Sequence, residues 1–271
     1  MWWFCTFRGK LSIPITTSYH SRELIICRNA SSLPPRLPFL SDVLKMANAK
    51  QKHKKKNISI VAVSYRGFWT STGKPSQKGI ERDADAALHW VLERYYSSHS
   101  SLPARPRKFV IWGQSIGAGV ATNLTAHYLN NPLAFQPDHS GGKETTTVVP
   151  ITSLILETPF TSIRDLLLAF YPQKWLPYHY LGPFLRSHWD SVQALQRIAQ
   201  AAGDQRKPNI FMLEAGSDEV VPAGNAQKLE GLCKTLKLDV ERRVIGGALH
   251  SNVVAKWDGQ LAIARFLRDD I

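Results

Sequence analysis

The sequence predicts an α/β protein with a mostly parallel central sheet and helices on both faces. Short runs of branched apolar residues alternate with longer amphipathic stretches, which is the pattern of successive βαβ units. The clearest run, 58–63, is apolar except for Ser59, as expected for a strand buried on both faces. A chain of 271 residues with 44% hydrophobic residues is long enough for one large core and too apolar for wholesale disorder.

The individual elements follow from the spacing of the apolar residues. The predicted strands are 24–27, 58–63, 108–112, 151–156, 209–213 and 238–245, the last alternating like a strand nearer the sheet edge. The predicted helices are 39–49, 80–91, 118–128 and 260–267. Acidic Glu81 and Asp83 are expected in the first turn of the second helix, where they favour the helix dipole.

The regular pattern is interrupted between residues 166 and 197, where aromatic residues and prolines are dense. Inserted aromatic segments between core strands often shape binding pockets. We therefore expect a short cap over a binding site at 166–197, with inert packing as the alternative.

Positive charge is concentrated near the N-terminus. Residues 1–56 hold eleven of the 34 basic residues and two of the 21 acidic ones, and the run 50–56 is the most basic. Such a run can bind nucleic acid or an anionic membrane surface, but a solvated loop is the simpler interpretation. No nucleic-acid-binding motif accompanies it, so we expect no nucleic-acid partner.

Cofactor and targeting signals are absent from the sequence. The three cysteines are too few and too scattered for a disulfide framework or a zinc site, so no metal or other cofactor is predicted. No apolar run is long enough to span a membrane, and no signal-peptide core is recognisable. The expected location is therefore intracellular, with membrane association as the alternative.

The residues Gly113-Gln114-Ser115-Ile116-Gly117 match the G-x-S-x-G pattern of a nucleophile elbow, between a predicted strand and a predicted helix. Such a turn strains the serine and exposes its hydroxyl, while the flanking glycines remove side chains that would clash. Ser115 is the predicted nucleophile. The backbone N–H of Ile116, at a helix N-terminus, is a predicted oxyanion donor. The alternative is a glycine-rich turn that matches by chance.

A nucleophilic serine requires a base, and the base requires an acid that orients it. For this kind of turn the three residues occur along the chain in the order Ser, then Asp or Glu, then His. Asp218 follows the strand 209–213 directly, with Glu219 as a neighbouring competitor. His250 lies in a glycine-containing loop after the last predicted strand, and the other eight histidines violate the order or lie in helices and polar loops. We predict Asp218 as acid and His250 as base; for Asp218 the alternative is an ordinary turn residue.

With these motifs, the chain resembles the α/β-hydrolase superfamily, and within it the bud-emergence-type serine hydrolases and the related α/β-hydrolase domain-containing protein thirteen. The stretches that carry the resemblance are 64–68, 71–76, 113–121, 157–162, 175–178, 216–222 and the loop of His250. The resemblance implies the α/β-hydrolase fold, with residues 57–271 as the catalytic domain and 166–197 as its cap. It carries Ser115, Asp218 and His250 over as nucleophile, acid and base.

Residues 1–56 depart from this resemblance as an atypical basic segment. Relatives usually have a membrane-anchoring helix and then a strand that ends in His-Gly-Asn-Ala-Gly, whereas this sequence has Cys27-Arg28-Asn29-Ala30 there and no recognisable anchor. The second oxyanion donor implied by the resemblance is the backbone N–H of Asn29. Peripheral membrane contact stays open as an expectation, and a truncated or mis-joined N-terminus is one explanation of the difference.

The predicted function is hydrolysis of an ester or thioester through an acyl-enzyme on Ser115. The resemblance favours an acyl-lipid or an acylated protein as substrate, and a peptidase or small-ester carboxylesterase stays open. Two hypotheses from other functional classes stay open. In one, motivated by Cys27-Arg28, the chain is an interaction protein that keeps the fold but does not turn over a substrate. In the other, the chain binds nucleic acid or a membrane surface through the basic residues 50–56.

Replacing Cys27-Arg28 with His-Gly should raise hydrolysis of an activated ester by at least about tenfold. A missing oxyanion donor costs on the order of a hundredfold to a thousandfold in turnover, and Arg28 has a Cβ that disfavours the backbone conformations open to glycine. Steady-state kinetics of the two folded proteins provides the measurement. Equal rates would mean that Arg28 leaves the oxyanion hole undisturbed.

Overall fold

The computed structural model of the protein describes residues 4–7, 21–27, 34–48, 57–97, 109–135, 148–171, 173, 175, 184–201 and 207–269. The strands in this part of the chain are β1 (Phe4–Phe7), β2 (Ser21–Cys27), β3 (Asn57–Val63), β4 (Phe109–Gln114), β5 (Ile151–Glu157), β6 (Asn209–Ala215) and β7 (Val240–Ile245). Its α-helices are α1 (Leu37–Asn48), α2 (Gln77–Ser97), α3 (Ile116–Asn130), α4 (Ile163–Phe170), α5 (Ser191–Gln200), α6 (Asn225–Thr235) and α7 (Trp257–Asp269).

The strands form one sheet in the order β1-β3-β2-β4-β5-β6-β7. β1 is antiparallel to β3, and every other neighbouring pair is parallel, which confirms the predicted mostly parallel sheet. After β2 the chain moves outward to β3 and then returns across β2 to β4. The winding direction therefore reverses between β2 and β4, and open α/β sheets bind their ligands at such a point.

Helices cover both faces of the sheet because its central strands are apolar on both faces. Side chains of a strand alternate between the two faces. On β4, Phe109 and Ile111 pack in a core with α2, α3, α5 and α6, whereas Val110 and Trp112 pack in a second core with α1 and α7. All four are at most 1% exposed. This arrangement holds β4 rigidly at the middle of the sheet.

The predicted first-turn position of Glu81 and Asp83 is wrong. α2 begins at Gln77, so neither residue lies in its first turn. Asp83 is fully buried, and its carboxylate accepts hydrogen bonds from the backbone N–H of Arg66 at 2.8 Å and from Nε of Arg66 at 2.9 Å. The carboxylate therefore fastens the loop after β3 to α2.

Beyond the predicted elements, the described part of the chain forms the further strand β1 and the further α-helices α4, α5 and α6. In α5 the buried residues Ala194, Leu195 and Ile198 have a helical spacing that the sequence pattern contains, but the dense prolines and aromatics just before it obscure the signal. β1 is only four residues long and joins the sheet through β3. A run of only four residues, Phe-Cys-Thr-Phe, is too short to show a period by which sequence reasoning could recognise it.

The predicted cap at 166–197 is described only in part. Trp175 and Phe184 are 80% and 77% exposed, while residues 172, 174 and 176–183 and the basic run 50–56 lie outside the described residues. The cap at 166–197 stays a prediction, as does the division of the chain into an atypical basic segment, 1–56, and a catalytic domain, 57–271. Of the helices described, none combines the length and the apolar character needed to cross a bilayer.

Candidate active site

Ser115 is the single residue between the end of β4 and the start of α3. Its backbone has φ 54° and ψ −121°, a conformation that costs free energy in any residue with a Cβ. Its N–H donates to the backbone carbonyl of Glu157 at 2.9 Å, and its own carbonyl accepts from the N–H of Ala118 at 2.8 Å. Contacts to a neighbouring strand and to the following helix therefore hold the strained serine in place.

The glycines of the motif are required by the closeness of strand and helix. A Cβ built on Gly113 would lie 2.0 Å from the carbonyl oxygen of Gly117 and 2.6 Å from the nitrogen of Ala118, both of which are backbone atoms. Backbone atoms of a buried strand and helix cannot move aside as the end of a flexible side chain can. Position 113 therefore admits glycine alone.

Asp218 lies in the turn directly after β6. Its Oδ1 accepts hydrogen bonds from the backbone N–H groups of Val220 at 2.8 Å and Val221 at 2.7 Å, so it is a turn residue as well as a partner of His250. Burial raises the pKa of the Asp218 carboxyl, but the hydrogen bonds from His250, Val221 and Val220 lower it by more. The pKa lies below its ordinary value, and the group is ionised at neutral pH.

His250 lies between Ser115 and Asp218. Its Nε2 is 2.8 Å from Oγ of Ser115, and its Nδ1 is 3.0 Å and 3.1 Å from the two carboxylate oxygens of Asp218. An ionised carboxylate can only accept, so Nδ1 carries the proton and Nε2 is the acceptor for the serine hydroxyl. The structure brings together all three residues predicted as nucleophile, acid and base.

Glu219, the neighbouring competitor of Asp218, makes a different contact. Its Oε2 accepts a hydrogen bond from the backbone N–H of His250 at 2.9 Å. Asp218 thus contacts the imidazole ring, and Glu219 contacts the backbone that carries the ring. Sequence reasoning favours Asp218 because Glu219 lies one step further into the turn, and the structure places the Asp218 carboxylate against the ring.

The structure describes only one of the two predicted oxyanion donors, Ile116. Ile116 is the first residue of α3, where backbone N–H groups have no partner inside the helix, and Ser115 makes no side-chain capping bond to that helix. Asn29 lies outside the described residues. The preceding strand β2 ends at Cys27, which pairs with Gly113 in the parallel register.

Comparison with solved structures decides the fold. The esterase Pf2001 of Pyrococcus furiosus superposes with a TM-score of 0.58 at 17% identity, over 92% of this chain and 81% of that one. The carboxylesterase Cest-2923 of Lactobacillus plantarum has a TM-score of 0.59 at 14% identity, over 94% and 82%. The chain has the α/β-hydrolase fold. Both identities are low, so these structures inform the fold alone.

Sequence relatives confirm the resemblance drawn from the motifs. The protein bem46 of Schizosaccharomyces pombe is 29% identical over 209 residues, which is 77% of this chain and 55% of that protein. The lysophosphatidylserine lipase ABHD12 of Danio rerio is 30% identical over 182 residues, which is 66% of this chain and 40% of that protein. This chain therefore spans about half the length of these relatives. No protein-family model matches it.

A buried polar cluster, formed by Arg36, Gln114 and Glu157, adjoins the site in this α/β-hydrolase fold. Arg36 Nη2 donates to Glu157 Oε2 at 2.6 Å, and Arg36 Nη1 donates to the side-chain oxygen of Gln114. Sequence reasoning singled out none of the three as site residues, although Gln114 is the first variable position of the motif and Glu157 directly follows the predicted strand 151–156. Among the described residues, no group of three or more His, Cys, Asp or Glu could hold a metal ion.

Gly113→Ala should lower the free energy of unfolding by about 3 kcal/mol or more, because the added methyl group would overlap backbone atoms that cannot retreat. The matched control is Gly231→Ala in α6, where an added Cβ meets nothing within 4 Å. There the change should stabilise the helix by up to about 1 kcal/mol. Urea unfolding of both variants provides the measurement. A Gly113→Ala variant as stable as the control would contradict the close contact.

Proposed function

We propose that this protein is a serine hydrolase that cleaves a carboxylic ester or thioester through an acyl-enzyme on Ser115. The observation that carries the proposal is the continuous line of hydrogen bonds from Ser115 Oγ through His250 to Asp218. A hydroxyl 2.8 Å from an accepting imidazole nitrogen can give up its proton as its oxygen attacks a carbonyl. The similarity to a lipase supports the same class of reaction.

The proposed reaction proceeds in two halves. Ser115 Oγ bonds to the substrate carbonyl carbon, its proton passes to His250 Nε2, and Asp218 stabilises the imidazolium. The negative charge that develops on the carbonyl oxygen is held by the N–H of Ile116, with that of Asn29 as the proposed second donor. Collapse of this intermediate breaks the bond to the leaving oxygen or sulfur, which takes the proton from His250. Water then repeats the sequence on the acyl-enzyme and releases the acid.

An apolar acyl chain is the proposed specificity element of the substrate. Val220 and Leu249 are exposed, and each lies one or two residues from a member of the triad, Asp218 or His250. The exposed aromatic residues Trp175 and Phe184 belong to the predicted cap. Exposed apolar side chains beside a polar reaction centre fit a ligand that joins an apolar chain to an ester or thioester.

Ser115→Ala should abolish labelling by a fluorophosphonate probe, since the probe bonds to an activated serine oxygen. The matched control is Ser251→Ala, which removes an exposed serine next to His250 and should label as the wild type does. Gel fluorescence of the folded proteins provides the measurement. Labelling of Ser115→Ala would overturn the assigned nucleophile, and a folded wild type that fails to label would favour the interaction protein without turnover.

Activity on p-nitrophenyl esters should increase with acyl-chain length, by roughly tenfold or more in kcat/KM between four and eight carbons. Each buried methylene contributes about 0.8 kcal/mol, and only part of the chain needs to be buried for this gain. Leu249→Asn should reduce the increase, whereas Leu133→Asn, an exposed leucine of the segment Pro132–Phe135, should not. A rate that is flat with chain length, or highest on the acetyl ester, would contradict an acyl-chain substrate.

A further inference from the structure

Gln114 connects the polar cluster to the backbone of His250. Its Nε2 donates to the backbone carbonyl of His250 at 3.3 Å and to Glu157 Oε1 at 3.2 Å, and its Oε1 accepts from Arg36. Both N–H protons and the oxygen of the amide therefore form hydrogen bonds, with partners from three distant parts of the chain.

The orientation of the Gln114 amide is fixed by the charges around it. Its oxygen faces a guanidinium, which can only donate, and its nitrogen faces a carboxylate, which can only accept. A flipped amide would place N–H groups against Arg36 and an oxygen against Glu157, and would lose both contacts. Arg36 and Glu157 therefore keep the N–H directed at His250.

Side chains hold the backbone of His250 on both sides. The residue lies outside the strands and helices, in the turn after β7. Its N–H donates to Glu219 at 2.9 Å, and its carbonyl accepts from Gln114. Backbone hydrogen bonds of the flanking residues, from Ser217 to Ala248 and from Asn252 to Leu249, hold the turn, whereas these two side-chain contacts hold the backbone of His250 itself.

We propose that Gln114 is a positioning residue for His250, and that Arg36 and Glu157 act by orienting Gln114. The inference rests on the proposed function, in which His250 accepts the Ser115 proton. The backbone carbonyl of Glu157 also accepts the N–H of Ser115. One buried residue thus anchors the nucleophile directly and, through Gln114, the base, and this fixes the 2.8 Å separation of Nε2 and Oγ.

Burial makes the cluster rigid and dictates which variants can test it. Glu157 is 0% exposed and the Arg36 side chain 12%, so removal of Arg36 alone would leave a buried carboxylate without its cation and endanger folding. Gln114→Met keeps this ion pair and the length of the side chain while it removes the contact to His250. The double variant Arg36→Met/Glu157→Gln removes both charges together and leaves Gln114 without its orienting partners.

The test compares these variants with Gln260→Met, which removes another buried glutamine that donates to a backbone carbonyl, that of Val254 at 3.0 Å. For Gln114→Met we expect kcat on a p-nitrophenyl ester to fall about 10- to 100-fold with KM within about twofold, since a misplaced base slows the chemical step. The double variant should show the same pattern. Gln260→Met should keep kcat within about threefold of the wild type.

A second readout does not depend on turnover. In ¹⁵N-histidine-labelled protein, the imidazole N–H proton that His250 shares with Asp218, identified by its absence in His250→Gln, should broaden or vanish in Gln114→Met and persist in Gln260→Met. A Gln114→Met protein with unchanged kcat and an unchanged resonance would overturn the positioning role. If the wild type hydrolyses no ester and binds no fluorophosphonate but the resonance is still lost in Gln114→Met, the proposed function fails and the positioning role stands.

Discussion

The shortness of one turn constrains the whole site: the central strand β4 and the buried helix α3 are joined by Ser115 alone. A link of one residue forces positive φ on the serine and brings strand and helix so close that position 113 has no room for a Cβ. The strained backbone of Ser115 persists because neighbouring strands hold it from both sides. β2 and β5 hold β4, and the carbonyl of Glu157 holds the serine N–H. The hydroxyl therefore stands at the carboxyl edge of the sheet without any freedom of its backbone.

The parallel sheet brings the remaining groups to the same edge. β4, β6 and β7 run in one direction, so the turns after them converge, and Ser115, Asp218 and His250 meet although long stretches of chain separate them. Burial raises the pKa of Asp218, but the hydrogen bond from His250 and those from the backbone N–H groups in the turn after β6 lower it by more, so that it lies below its ordinary value. A protonated carboxyl would not hold the imidazole in the tautomer that leaves Nε2 as an acceptor.

The fold alone does not select a substrate. Esterases with less than 20% identity share this architecture, and one architecture hosts many activities, which depend on the loops at the sheet edge. Here the N-terminal region, where Cys27-Arg28 stands in place of the His-Gly that the resemblance leads one to expect, also supplies Arg36 to the polar cluster beside the elbow. Under the proposed mechanism, changes in that region reach His250 through Gln114 and reach the oxyanion through the proposed donor Asn29.

The sequence by itself determined the fold class and the three triad candidates. Strand, turn and helix around Ser115 are local in sequence, and the fixed chain order of the triad singled out Asp218 and His250 from many carboxylates and histidines. Only the tertiary structure decided that Glu219 holds the backbone N–H of His250, that β1 pairs with β3, and that Arg36 neutralises Glu157. These depend on contacts between residues far apart in the chain, 121 positions in the last case, and no local period or spacing encodes such a pairing.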